Sequence, residues 1–196
     1  SLKLRYKDAM VDDLKQQIMA NGQPLVLIGM MGTGKSHFGR MLSKALGLEY
    51  YDSDTLVEEK AGCAISEIFA RWGEDNFRSV EAKTIKDCID KGVCVISTGG
   101  GAILNADTAQ NIFANTLSIW VDAPVDVILQ RVKKNRNRPL LACENPADVL
   151  QELMQVRRPI YERARFKLES GVTDADSALR TVLKDIETYL RQNKTE

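Results

Sequence analysis

The sequence predicts a three-layer α/β/α fold, in which helices cover both faces of a central five-stranded parallel sheet. Short strand-like runs alternate with longer stretches of helical spacing, and the runs at 25–29, 93–97 and 116–121 are largely apolar, as in parallel strands buried on both faces. A length of 196 residues suits one domain with a substantial core. The strands are predicted at 25–29, 49–52, 93–97, 116–121 and 165–169.

Helices are predicted between and after these strands, at 36–47, 75–92, 123–135, 145–164 and 176–192. Residues 1–23 are expected to form an N-terminal helical extension. Met10, Leu14 and Ile18 lie on one face of it, for packing on the domain or on a partner. Residues 24–196 then form a single domain. In such sheets ligands collect beyond the carboxyl ends of the strands, so the loops after residues 28, 52, 97 and 121 are the candidates for a site.

The composition narrows the classes of partner. Lysine and arginine number 27, as do aspartate and glutamate, and this zero formal charge argues against nucleic acid or a membrane bound by bulk charge. No apolar run is long enough to span a bilayer, and the N-terminus does not have the pattern of a signal peptide. The four cysteines form no C-x-x-C pair, and with one histidine they offer no zinc ligand set. We expect buried thiols, a cytoplasmic location, and a monomer or weak association through the extension.

The segment GMMGTGKS, Gly29 to Ser36, has the pattern of a phosphate-binding loop between a strand and a helix. Its glycines let successive N–H groups face phosphate oxygens at the positive end of the next helix. Lys35 can reach the β- and γ-phosphates of a nucleoside triphosphate, and the Ser36 hydroxyl can ligate Mg²⁺. His37 is a poor candidate for a base, since phosphoryl transfer needs little from one.

Two carboxylates, Asp52 and Asp54, follow at the end of the second predicted strand. In extended backbone they project from the same face, toward the crevice beyond the sheet. One of them can hold Mg²⁺, directly or through water, and the other can orient a substrate hydroxyl or take its proton. In an alternative interpretation, Asp54 is only the N-cap of the following helix.

Three arginines and three consecutive glycines complete the candidate site. Arg138 lies in a loop of about ten residues, a length typical of lids, and could close over a transferring phosphoryl group. Arg78 and Arg157 could form a fork for a carboxylate, although most arginines are solvated surface residues. The stretch Gly99 to Gly101 could be a turn or a second phosphate loop. It lacks a lysine, however, and bare backbone favours a pocket wall that the Gly100 N–H presents to substrate.

Together these segments resemble the shikimate kinase family, in the small-metabolite branch of the nucleoside monophosphate kinase fold. The resemblance covers roughly residues 24–163 and is carried by GMMGTGKS, YYDSDTLVEEKAGCAISEIFARWGEDNFRSVE, ISTGGGA, RPLL and RRPIYERA. It implies a P-loop kinase with a substrate-binding helical insertion near 53–81 and a mobile lid near 134–147. The implied reaction transfers the γ-phosphate of ATP, with Mg²⁺, to the 3-hydroxyl of shikimate, in chorismate and aromatic amino acid biosynthesis.

On the nucleotide side, the resemblance implies phosphate binding by Lys35 and by the backbone of Gly32, Thr33, Gly34, Lys35, Ser36 and His37. Ser36 would ligate the metal, with Asp52 in or near the metal's shell. Arg131 would stack near the adenine, and Arg138 would reach the phosphates from the lid. His37 departs from the family, where small hydroxyl residues are usual, and little is lost if only its backbone N–H is needed.

On the acceptor side, the resemblance implies that Asp54 binds the ring hydroxyls of shikimate and is the candidate base. Arg78 and Arg157 would clamp the carboxylate, with Glu81 steadying Arg78. The pocket would be completed by Gly99, Gly100 and Gly101, and the catalytic set would be Lys35, Asp54 and Arg138. Two alternatives stay open: another small-metabolite kinase, such as a gluconate kinase, and a non-catalytic nucleotide-binding module.

Overall fold

A computed structural model describes residues 2–134 and 144–194 of the chain. The strands are β1 Leu25–Ile28, β2 Tyr50–Asp52, β3 Val95–Ser97, β4 Leu117–Asp122 and β5 Phe166–Glu169. They form one parallel sheet in the order β2-β3-β1-β4-β5, in which Leu25 of β1 pairs with Val95 and Leu117 on either side. All five predicted strands are confirmed, with ends that differ by at most two residues. The α/β class with a five-stranded parallel sheet is therefore correct.

The helices are α1 Leu2–Asn21, α2 Lys35–Leu46, α3 Ser53–Ala61, α4 Ile65–Asp90, α5 Ala106–Asn115, α6 Val125–Lys134, α7 Pro146–Tyr161 and α8 Ala175–Gln192. A short 3-10 turn, Ala102–Leu104, precedes α5. The five helices predicted from spacing are present in α2, α4, α6, α7 and α8. Of the proposed lid, residues 135–143 lie outside the described part of the chain, and Arg138 lies among them.

Three helical segments were not predicted from spacing, namely α3, α5 and the first part of α4. Helix α5 is short, and its beginning is marked by Asn105, whose side chain accepts a hydrogen bond from the Thr108 N–H. Helix α4 begins ten residues before its predicted start, and Gly73 interrupts it with non-helical backbone (φ 80°, ψ 169°). In a sequence, a glycine within a helical pattern indicates a loop. Here the helix continues on both sides of Gly73, although the glycine itself has non-helical backbone.

Two large hydrophobic clusters, one on each face of the sheet, form most of the core of the described residues, and a small third one joins α3 to α4. On one face, Val26 and Trp120 of the strands pack with residues of α4, α5, α6 and α7. On the other face, Leu25 and Leu168 pack with residues of α1, α2 and α8. Alternate residues of β1 thus point to opposite layers, which makes this the three-layer arrangement.

The N-terminal helix α1 packs on the second of these faces. Leu14 and Ile18 are buried there against the layer that contains α2 and α8, whereas Met10 is 51% exposed. The Lys15 ammonium also donates a hydrogen bond to the Gly47 carbonyl at 3.2 Å. Helix α1 is therefore part of the domain's packing, through two of the three residues expected on that face.

The described thiols behave as small apolar residues. Cys88 and Cys94 are buried, Cys63 is half-buried, and burial raises the pKa of the Cys94 thiol to about 11. A thiol with such a pKa is almost wholly protonated near neutral pH, which favours packing over nucleophilic chemistry. Of the helices in residues 2–134 and 144–194, none has the length and apolar character needed to cross a membrane.

Candidate active site

The phosphate loop, Gly29 to Ser36, joins β1 to α2 and is closed on itself by hydrogen bonds. Gly29, Gly32 and Gly34 have φ values of 150°, 74° and 99°, in the region that glycine adopts readily. The Lys35 ammonium donates to the carbonyls of Gly29 (2.8 Å) and Met30 (2.7 Å), and the Thr33 hydroxyl also donates to Met30. The loop thus forms a compact turn at the N-terminus of a helix, the setting that favours an anion.

Arg131, on α6, supports the loop from outside. Its Nη1 donates to the carbonyls of Gly32 (3.1 Å) and Thr33 (3.0 Å) and to the Ser170 hydroxyl (3.0 Å). The side chain of His37 is exposed, in edge contact with Phe38. Arg131 therefore ties the phosphate loop to the segment after β5, a contact that the sequence did not indicate.

Asp52 caps helix α3, which corrects the backbone geometry expected for the carboxylate pair and the alternative that made Asp54 the cap. Its Oδ1 accepts from the N–H groups of Asp54 (3.0 Å) and Thr55 (3.3 Å), and its Oδ2 accepts from the Ser36 hydroxyl (2.8 Å). The expectation of two carboxylates on one extended strand is wrong, because the helix begins at Ser53. Asp54 as the N-cap is wrong as well, since Asp54 lies in the first turn. The Tyr50 hydroxyl, which the sequence did not single out, also donates to Asp52 Oδ2 at 3.4 Å.

Asp54 and Glu81 face each other across Gly99. A methyl group placed on Gly99 would stand 2.8 Å from Asp54 Oδ1 and 2.8 Å from Glu81 Oε2. Glu81 is only 2% exposed; its Oε1 accepts from Arg78 Nη1 at 2.8 Å, while Oε2 has no hydrogen-bond partner within the described residues. Burial raises the pKa of both carboxyls, and for Asp54 the charge of Asp52 raises it further.

The glycine triad, Gly99 to Gly101, lies at the centre of the site. The position of a side chain on Gly100 is 3.2 Å from the backbone nitrogen of Met31, and on Gly101 it is occupied by the Arg78 guanidinium. None of the three glycines has φ in the left-handed region. Just before the triad, the Ser97 hydroxyl donates to the Lys35 carbonyl (3.0 Å) and the Thr98 hydroxyl to the Leu27 carbonyl (2.9 Å). The triad thus borders the carboxylates, the phosphate loop and Arg78.

Helix α7 contributes two side chains to the carbonyl of Gly100. Nη1 of Arg157 donates to it at 3.1 Å and also lies 3.7 Å from the Met30 sulfur, and the Tyr161 hydroxyl donates to it at 2.8 Å. Arg157 is 8% exposed, and its Nε is buried without an acceptor among the described residues. Tyr161 was not predicted as a site residue. The four-residue spacing from Arg157 is the signal that could have found it, since residues four apart share a helix face.

The structure therefore brings together all of the predicted site residues that it describes. Lys35, Ser36 and Asp52 lie at the end of β1 and β2, while Asp54, Glu81, Arg78 and Arg157 surround the glycine triad. A phosphate loop beside a half-buried cluster of two guanidinium groups and two carboxylates is typical of a class of protein, the P-loop phosphotransferases that act on a small anionic acceptor.

Comparison with known proteins narrows the class. The family model of shikimate kinase matches residues 31–187. A shikimate kinase of Bartonella henselae is 36% identical over 194 residues, which cover 98% of this chain and 92% of that protein. One of Rhizobium leguminosarum is 42% identical over 175 residues, covering 88% of this chain and 89% of that protein. The chain belongs to the shikimate kinase family, and it is an ATP-dependent phosphotransferase of aromatic amino acid biosynthesis.

Solved structures agree with this assignment. Shikimate kinase from Acinetobacter baumannii, determined in complex with shikimate, matches with a TM-score of 0.76 and 34% identity over 89% of this chain and 96% of that chain. A gluconokinase from Sinorhizobium meliloti matches with a TM-score of 0.58 at 14% identity, over 86% of this chain and 94% of that chain. The second likeness shows a shared fold alone, so the predicted family is confirmed and the gluconate kinase alternative loses its support.

Proposed function

We propose that this chain transfers the γ-phosphate of ATP to the 3-hydroxyl of shikimate, giving shikimate 3-phosphate and ADP. The observation that carries the proposal is the position of the glycine triad. Its bare backbone lies between the phosphate loop on one side and Arg78, Glu81 and Asp54 on the other. A hydroxylated carboxylate bound against the triad would present a hydroxyl to the phosphates and its carboxylate to guanidinium groups.

On the nucleotide side, the N–H groups of the phosphate loop and the Lys35 ammonium would bind the phosphate oxygens. Hydrogen bonds from Lys35 and Thr33 to the loop's own carbonyls support this role, because they hold the loop in a compact turn. Arg131, whose predicted place is near the adenine, would also keep the loop in this shape through Gly32 and Thr33. Arg138, in the segment outside the described residues, would add positive charge to the transferring phosphoryl group.

Ser36 and Asp52 fit the requirements of Mg²⁺. A hydroxyl oxygen and a carboxylate oxygen lie 2.8 Å apart beside the phosphate loop, and both are oxygen ligands of the kind that Mg²⁺ prefers. Because the other oxygen of Asp52 accepts from two backbone N–H groups, Oδ2 is the oxygen that would serve the metal or its water. When bound, Mg²⁺ supplies positive charge that offsets the phosphate charges.

On the acceptor side, Arg78 and Arg157 would clamp the carboxylate of shikimate, and Glu81 would hold Arg78 in place through its 2.8 Å ion pair. Asp54 would orient the reacting hydroxyl and accept its proton at a carboxylate oxygen. Burial and the neighbouring Asp52 raise the pKa of Asp54, which makes it a stronger base than an exposed aspartate. The protein would do little covalent work, because positioning and charge account for most of the catalysis in phosphoryl transfer.

The test is ADP release by the purified protein with MgATP and three acceptor conditions: shikimate, gluconate and none. We expect shikimate alone to stimulate release, with one shikimate 3-phosphate formed for each ADP. Equal release in all three conditions would overturn the proposal, and stimulation by gluconate would favour the second candidate. Arg78→Lys serves as a companion variant, since it keeps the charge but loses the planar fork and is expected to raise KM for shikimate.

A further inference from the structure

The hydrogen bonds of the glycine triad set the direction of its N–H groups. The Gly99 carbonyl accepts from the Ala102 N–H at 3.2 Å, and the Gly100 carbonyl accepts from Tyr161 and Arg157. In a trans peptide the carbonyl and the next N–H point in opposite directions. The N–H groups of Gly100 and Gly101 are therefore directed away from these partners, and neither has an acceptor among residues 2–134 and 144–194.

The Gly100 carbonyl accepts from both Arg157 and Tyr161, and these two donors differ in whether they also bind the substrate. Under the function proposed above, Arg157 has to bind the carboxylate of the substrate, and its buried Nε lacks an acceptor among the described residues. Tyr161 has no comparable second task. Its side chain is fully buried and its ring stacks on Trp120, with centroids 6.0 Å apart and planes inclined by 19°. The Tyr161 hydroxyl can hold the carbonyl whether or not Arg157 is engaged with substrate.

We propose that Tyr161 is a positioning residue for the acceptor. Its hydroxyl fixes the peptide unit between Gly100 and Gly101, so that the triad presents N–H groups to shikimate. Because the hydroxyl keeps a hydrogen bond to the Gly100 carbonyl, Arg157 can turn to the substrate without leaving that carbonyl unpaired. Without the hydroxyl, Arg157 is the remaining donor to a part-buried acceptor. Turning Arg157 to the substrate would then leave the Gly100 carbonyl without a protein donor, which costs free energy in a part-buried site. This inference rests on the proposed function and adds a residue to it.

The test is Tyr161→Phe, which keeps the ring and its stacking on Trp120 and removes one oxygen. We expect KM and the dissociation constant for shikimate to rise about fivefold, the effect of one net hydrogen bond. KM for ATP and kcat should stay within about twofold, because the phosphate loop and Lys35 are untouched. Tyr189→Phe is the matched control, since Tyr189 lies on α8 with its ring against Phe166 and its hydroxyl makes no hydrogen bond within the described residues.

A structural role alone predicts a different pattern: a lower melting temperature, with both KM values or neither affected, and that result would overturn the inference. Unchanged shikimate binding in Tyr161→Phe would overturn it too. If the wild-type protein does not phosphorylate shikimate, the proposed function itself has failed. Should Tyr161→Phe not fold, 4-aminophenylalanine and 4-methylphenylalanine at position 161 give the same comparison, because they are similar in size and only the former donates. We expect the amino group to preserve shikimate affinity, and equal affinities in the two proteins would contradict the inference.

Discussion

In the phosphate loop, Gly29, Gly32 and Gly34 have φ between 74° and 150°, whereas Gly101 in the triad has φ −98° and ψ −2°, which any residue can adopt. A methyl group on Gly34 would make only ordinary contacts, with Phe38 at 3.4 Å and with Arg131 Nη1 at 3.7 Å. On Gly101 the same methyl group would collide with the Arg78 guanidinium. At Gly34, glycine thus permits a backbone conformation, whereas Gly99 and Gly101 leave room for side chains from α3 and α4; Gly29 does both, because a side chain there would also collide with the Val121 carbonyl.

Substitutions in the phosphate loop and in the triad are expected to affect different substrates. A change in the phosphate loop alters the backbone that faces the nucleotide, so we expect its effects on ATP and on folding. A change in the triad displaces Arg78 or the carboxylates and leaves the backbone intact, so we expect its effects on shikimate. Four variants separate these expectations.

Lys35→Ala is expected to have the largest effect. The ammonium lies at the phosphate loop and would stabilise charge on the transferring group, and loss of one such group lowers kcat by about 10²–10³-fold. KM for shikimate should change little. Steady-state kinetics with each substrate varied in turn will measure this, with the melting temperature as a control, because Lys35 also binds two loop carbonyls. An effect confined to KM for shikimate would contradict the assignment of the phosphate loop to the nucleotide and of the triad to shikimate.

Gly101→Ala should raise KM for shikimate about tenfold or more, equivalent to about 1.4 kcal/mol of binding. The added methyl group displaces the Arg78 guanidinium and weakens its 2.8 Å ion pair with Glu81. Because the backbone conformation suits alanine, the free energy of unfolding and KM for ATP should stay near the wild-type values. Denaturant unfolding and kinetics on the same protein sample provide both numbers. A large loss of stability with normal shikimate affinity would show that the triad is a turn.

Gly34→Ala should behave in the opposite way. Alanine at φ 99° lowers the free energy of unfolding by about 1–2 kcal/mol, and the strained loop should raise KM for ATP but not for shikimate. Gly92→Ala is the matched control: Gly92 has φ 90° and no atom within 4 Å of the added methyl group, far from either loop. It should lose similar stability with unchanged kinetics. Equal kinetic effects of the two variants would mean that general destabilisation, rather than the loop, is responsible.

Glu81→Gln is expected to give the smallest effect, a rise in melting temperature at neutral pH together with weaker shikimate binding. Burial raises the pKa of Glu81 above its ordinary value of 4.5, so the folded chain holds this proton more tightly than the unfolded chain. Stability therefore falls as pH rises from 4.5 through the raised pKa, and stays lower above it. Melting temperatures of both proteins from pH 4 to pH 8 should converge at the acid end. A gap that is constant with pH would contradict a titrating Glu81.

The sequence predicted the sheet and the phosphate loop because both have local signals. Apolar runs mark β1 and β4, and the spacing of Gly29, Gly34 and Lys35 marks the loop. The cap formed by Asp52 was missed, because two aspartates two residues apart suit a strand end and a helix start equally well. The spacing from Arg157 could have placed Tyr161 on the same face of α7, but its bond to Gly100 joins positions 61 residues apart, and no local pattern encodes that partner.

The sheet order has a consequence for changing the acceptor of this enzyme. β2, β3 and β1 are neighbours, and each strand delivers one part of the site, namely the capping aspartate, the triad and the phosphate loop. The spacing between these parts is then set by the backbone ladder, about 4.8 Å per strand, and it is locked by the bonds from Ser97 and Thr98. The sheet therefore fixes the distance between the phosphate loop, which faces the nucleotide, and the triad, which faces the acceptor. Redesign of α3 and α4 could therefore exchange one small acid for another without resetting the distance over which the phosphate travels.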